Sequence, residues 1–223
     1  MRSGLTLVAV TTLSLSLIGG SVAGAMQPTN NSSKPAITAS SETKAATDLR
    51  KALNSLLRDH VTTNLTVNRA IVSGASEATI NQAELAQFAN TASLAAAIES
   101  IYGAPAAAQF SEMFNEHIAE SNNFARAAAA GDEAAKALAL VELQEYLAEI
   151  TTFFTTAIPV LPYNAVYGLL LEHETLINQS TEALINGNFG QSKKFEQQAL
   201  RQISVIADAL ASGIVATQPT LFQ

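Results

Sequence analysis

The first sustained pattern of apolar spacing begins at Leu49. Leu49, Leu53, Leu56, His60, Val67 and Ile71 recur at three- and four-residue steps or multiples of them, which places them on one face of an α-helix. Leu57 and Val61 widen that stripe, and Lys51, Arg58 and Asn68 are expected on the opposite, solvent-facing side. Thr47-Asp48 supplies a cap near the helix start. Gly74 follows the last apolar position and offers the left-handed stop that side chains with a Cβ tolerate poorly. Ser76-Glu77 can then cap a returning helix through Ile80, Leu85, Phe88, Leu94, Ile98 and Ile101 to Tyr102-Gly103, with Pro105 as the break. The pattern predicts one helical hairpin.

The hairpin recurs. Phe110, Met113, Phe114, His117, Phe124 and Ala128 share a face before Gly131, and Asp132 caps a partner helix with Leu138, Val141, Tyr146, Leu147, Ile150, Phe153 and Phe154. Val166, Leu169, Leu170, His173, Leu176, Ile177 and Leu184 precede Asn186-Gly187, and Phe195, Leu200, Ile203, Val205, Ile206, Leu210 and Ile214 form the last return. Four landmarks keep one period. The only three histidines, His60, His117 and His173, lie 57 and 56 residues apart and each follows an acid; a glycine comes 14 positions after each; the units close at Pro105, Pro162 and Pro219. A fixed period of this kind is the signature of tandem structural units. The units are 49–105, 106–162 and 163–219. The expected fold is therefore all-α: six long helices in three tandem antiparallel hairpins, a closed six-helix bundle being favoured over a four-helix bundle with a flanking pair or a short open stack, because three units with no distinct terminal caps make a poor solenoid. No stretch shows sustained strict alternation, so no sheet is expected.

The N-terminus changes the picture of where this domain resides. One charge, Arg2, precedes the apolar run Leu5–Gly20, and Ala23-Gly24-Ala25 supplies a small-residue cleavage pattern. This is the layout of a secretory signal peptide, predicted over 1–25. Residues 26–46, rich in Ser, Thr, Asn and Pro, are expected to be a disordered tether before the helical domain at 47–219, with 220–223 as a tail. Export to the periplasm or the medium follows, with no membrane span after signal cleavage. The chain has no cysteine, so no disulfide braces it. Its formal charge of −7 argues against nucleic acid as a partner.

The histidines are the one constellation with chemical promise. All three sit on the apolar stripe of the first helix of a hairpin, at matched depth. Around a pseudo-threefold axis they would converge, and three neutral imidazoles suit zinc or copper. Three readings stay open: buried polar residues hydrogen-bonded for packing, ligands of a metal or haem, and a pH-sensing cluster. The acids that precede the histidines point about 100° away and are not co-ligands on their own helices. Asn90 is placed to hydrogen-bond across the core, while Phe88 and Phe153-Phe154 read as core. Asn64-Leu65-Thr66 and Asn178-Gln179-Ser180 match glycosylation sequons. No phosphate loop, nucleophile elbow or cysteine nucleophile occurs, so no catalytic residue is assigned and the chain is not read as an enzyme. A zinc hydrolase built on the three histidines ranks behind the other readings.

These residues together resemble a family of exported bacterial all-helical proteins of unestablished function with repeated Glu/Asp-His helices. In that family an opening Leu-Arg…Leu-Leu…Glu-His helix resembles Leu49-Arg50 through Asp59-His60, and a Tyr-Gly…Phe junction resembles Tyr102-Gly103 and Phe110. A His-Ile pair resembles His117-Ile118, a later x-His helix resembles Glu172-His173, and an Ala-Asp near the end resembles Ala207-Asp208. The resemblance spans about 49–222. The family tends to carry tryptophan where this chain has Phe114, and a His-Met pair where it has Gln202-Ile203. The resemblance implies the helical fold and export; a metal site that used the fourth histidine would be incomplete here. The expected role is thus a non-enzymatic binding or structural protein of the cell envelope, taking a protein or small ligand as partner, with a metal-binding protein that uses His60, His117 and His173 as the alternative.

Overall fold

The computed structural model describes residues 42–223, so the signal segment and nearly all of the expected tether lie outside the described residues. Six helices follow one another: α1 Lys44–Val72, α2 Glu77–Tyr102, α3 Ala104–Ala130, α4 Glu133–Ala157, α5 Tyr163–Ile185 and α6 Phe189–Thr217. Among the described residues there is no strand. Helix α1 starts at Lys44, a few residues before Thr47, because Thr43 accepts the Ala46 N–H and caps it there. The C-terminal residues are not a loose tail: Pro219–Phe222 form a 3-10 turn, Phe222 packs on the core, and its carbonyl accepts the Thr43 hydroxyl at 2.7 Å.

The hairpin turns repeat to the atom. Gly74, Gly131 and Gly187 have φ of 67°, 69° and 70°. At the middle one the Asp132 N–H reaches back to the Ala127 carbonyl at 2.9 Å and the Gly131 N–H to that of Ala128 at 3.2 Å, the paired bonds that close a helix through a left-handed residue. Ala75 and Gly74, and Asn188 and Gly187, make the same pairs. Ser76, Asp132 and Asn188 then each accept the backbone N–H three residues on and start the returning helix.

The hairpins close into a ring. Each helix packs on the next, and α6 returns to α1; in addition α1, α3 and α5 touch one another pairwise. The odd helices therefore form an inner triangle, and each even helix lies along the groove between two of them. The core runs up this triangle. Leu57, Val61, Phe110, Phe114, Ile118, Ile150, Ile177, Ile203 and Leu210 are buried in it. Alanines such as Ala199, Ala207 and Ala211, all buried, let α6 approach its neighbours closely.

Several positions differ from the expected faces. Asn68 is buried between the odd helices, not solvated on α1. Leu85 and Phe88 on α2, Leu138 and Val141 on α4, and Val205 on α6 are exposed. These outer helices bury a narrow strip, which on α2 runs through Ile80, Gln87, Asn90, Thr91 and Leu94. Helix α6 is, among the described residues, the one helix long and apolar enough to cross a membrane, where none was expected. Half of its apolar window is buried inside the bundle, the composition of a core helix.

Candidate functional site

The triangle of odd helices brings repeat-related side chains into layers. Counting from the histidines, the position four residues on holds Asn64, Ser121 and Ile177, and that eight residues on holds Asn68, Ala125 and Thr181. All six are buried. Asn64 donates to the Ser121 hydroxyl at 2.8 Å; Asn68 donates to Asn64 Oδ1 at 3.0 Å and to the Thr181 hydroxyl at 2.8 Å. Asn64 is thus committed to the core, and its sequon is inaccessible in the fold. Asn90 does bond across the interface, through Nδ2 to the Leu56 carbonyl at 2.9 Å.

One turn above lies the histidine layer. His60, His117 and His173 are 3%, 3% and 4% exposed. The centre of the His60 ring is 5.6 Å from that of His117 and 5.8 Å from that of His173. Imidazoles bound to one ion at about 2.0–2.1 Å per nitrogen have ring centres about 5–6 Å apart. His60 therefore stands within that spacing of each of the other two rings. As placed, no three His, Asp or Glu side chains among the described residues close around a metal. The Nδ1 atom of every one of the three is buried without a hydrogen-bond partner.

The surroundings are apolar. A cavity of about 70 Å³ is lined by the three imidazoles, Tyr146 and core side chains that include Leu57, Phe110, Phe114, Leu170 and Ile203. A bound water needs about 10–15 Å³ of such space, so the cavity suits an ion with a few small ligands and excludes an organic molecule of drug size. Phe114 packs 4.8 Å from His60 and 5.5 Å from His117, and Tyr146 stacks on His117 at 4.3 Å with 11° between the rings.

Two members of the site were not assigned from the sequence. The apolar spacing places Tyr146 among the packing residues of its helix. Glu174, on α5, is 6% exposed, and its Oε1 lies 3.4 Å from His117 Nε2. The acids expected to flank the histidines, Asp59, Glu116 and Glu172, are exposed. The signal for Glu174 lay in the repeat: the residue after each histidine is Val61, Ile118 and Glu174, all buried, so an acid occupies the third copy of a core position.

Burial sets the charge states. It pushes the His173 imidazole down to about 4 and, with the nearby His173, that of His117 to about 3. His60 is held well below its ordinary value of 6.5 by burial first and then by the other two histidines. Burial pushes the Glu174 carboxyl up to about 8, and burial and the Glu174 charge hold the Tyr146 phenol well above 10. At neutral pH the histidines are uncharged and so carry the lone pairs that a metal needs. Gln202 on α6 donates to the Leu169 carbonyl at 2.5 Å and leaves its own oxygen unpartnered.

No protein-family model, no curated protein and no solved structure matches this chain.

Proposed function

We propose that this is an exported, non-enzymatic helical bundle that holds one transition-metal ion, zinc or copper, between His60, His117 and His173. The carrying observation is that three repeat-related imidazoles meet in the core with every Nδ1 buried and unpartnered. A buried polar atom without a partner costs about 1–3 kcal/mol, so a cluster of three is costly as packing and favourable as a ligand set. The His60 ring centre lies 5.6 Å from that of His117 and 5.8 Å from that of His173, neutral imidazole is a good donor to both metals, and the cavity has room for the remaining coordination positions. Export rests on the signal-peptide pattern of residues 1–25, and the non-enzymatic reading on the lack of a nucleophile or phosphate-binding motif.

Metal analysis of the purified protein beside a His117→Ala variant tests this. The expected result is about one ion per chain in the wild type, lost in the variant while helicity is retained. Equal metal content in both, or none in zinc- or copper-treated wild type, removes the reading.

A further inference from the structure

We infer that Glu174 is the positioning residue of this centre: it accepts the Nε2–H of His117 and thereby presents Nδ1 of that ring to the ion. The inference rests on the metal-binding reading above and deepens it by assigning the ligand atom.

Three observations carry it. The first is direction. Of the two nitrogens of His117, Nε2 faces Glu174 Oε1 at 3.4 Å, while Nδ1 has no partner. That separation is longer than a settled hydrogen bond, which for N–H···O is 2.7–3.2 Å, so on this account the two groups close up when the ion binds. The second is the cost of the acid. Glu174 stands where the other two repeats bury Val61 and Ile118, both 0% exposed. A carboxyl in such a place is unfavourable unless its oxygens are used, and the group that Glu174 Oε1 faces is the His117 imidazole. The third is the common atom. His60 and His173 leave the same nitrogen, Nδ1, unpartnered, so binding through Nδ1 uses one atom type in all three repeats.

A carboxylate on the far nitrogen of a metal-bound imidazole fixes the tautomer and the ring plane and makes the ligand more basic. Tyr146 holds the ring from its face by stacking, and Glu174 meets it at the Nε2 edge. On this account Glu174 does not touch the ion.

The test uses zinc and cadmium as probes on the whole protein, with Glu174→Gln and Glu174→Leu variants beside His60→Ala and His173→Ala. The glutamine keeps an acceptor oxygen but cannot ionise; the leucine resembles the side chains of the other repeats. Zinc affinity is expected to fall about 10–100-fold in Glu174→Leu and less in Glu174→Gln, with the stoichiometry of one ion unchanged. In the cadmium-loaded wild type, nitrogen NMR is expected to show coupling of the ion to His117 Nδ1 and a retained Nε2–H. If the histidine variants lose zinc while both Glu174 variants bind it as tightly as the wild type, the positioning role is overturned and the metal reading stands. Coupling through Nε2, or loss of one-ion stoichiometry in Glu174→Gln, likewise overturns it. Wild type that binds neither ion overturns the metal reading, and the positioning role with it.

Discussion

Asn64 and Ser121 lie 57 positions apart in the chain and share a 2.8 Å hydrogen bond in the middle of the core. One repeat therefore meets the next at equivalent depth, and the bond registers α1 against α3. Asn68 extends the registration to α5 through Thr181. A polar layer inside an apolar bundle restricts the vertical alignment of its helices, since a shift would bury these amides unpaired. Replacement of Asn64 by alanine strands Ser121 and the second amide, and is expected to cost about 1–3 kcal/mol in urea unfolding. A loss below about 0.5 kcal/mol would show that the layer is solvated or dispensable.

Glycine contributes to this fold in two distinct ways, which substitutions separate. At Gly131 a Cβ would meet nothing within 4 Å, but φ is +69°, so Gly131→Ala is expected to cost about 1–2 kcal/mol from backbone strain alone. Gly213 has ordinary helical geometry, yet a Cβ there would stand 2.6 Å from Ile158 Cγ2. Gly213→Ala is expected to lose about 1–3 kcal/mol from overpacking despite the better helix propensity of alanine. Gly168→Ala on α5, with open space around it, serves as the control and is expected to gain up to about 1 kcal/mol. Thermal or urea unfolding of the three variants gives the order directly, and a stabilising Gly213→Ala would contradict the close approach of α6 to Ile158.

The metal-free protein should have its stability maximum close to pH 6.5–7. His117 and His173 titrate near 3 and 4 when folded, against an ordinary 6.5, and His60 is shifted the same way. As pH falls below 6.5 the unfolded chain takes up protons that the folded core refuses, so this contribution is complete above 6.5 and is lost on acidification. Glu174, raised to about 8 from an ordinary 4.5, acts in the opposite sense: its contribution is complete below 4.5 and is lost as pH rises to 8. Below 6.5 three histidines outweigh one carboxyl; above it the carboxyl acts alone. Urea midpoints across pH 4.5–9 should fall on both sides, and Glu174→Gln should remove the decline between 6.5 and 8. A midpoint that rises from pH 6.5 to 5 would contradict neutral burial of the histidines.

How much of this the sequence carries differs between the inner and outer helices. The odd helices have strong apolar stripes, and the period in histidines and glycines locates their turns and their depth, so His60, His117 and His173 were legible in phase. On α2 and α4 little distinguishes one face from another. A stripe drawn through the largest side chains of α2 selects Leu85 and Phe88, which are exposed, while the buried strip contains Gln87 and Asn90. Glu174 and Asn68 escaped for a related reason. On a single helix an acid or an amide reads as solvent-facing, and only pairing across three helices makes its burial affordable. Placing Val61, Ile118 and Glu174 in one column is what exposes the acid as a core residue.

The most direct measurement is anomalous diffraction at the zinc edge from crystals of the zinc-loaded protein. One peak is expected, at about 2.0–2.1 Å from a nitrogen of each of His60, His117 and His173. Peaks confined to the surface, or a core that keeps its three imidazoles metal-free at saturating zinc, would contradict the account.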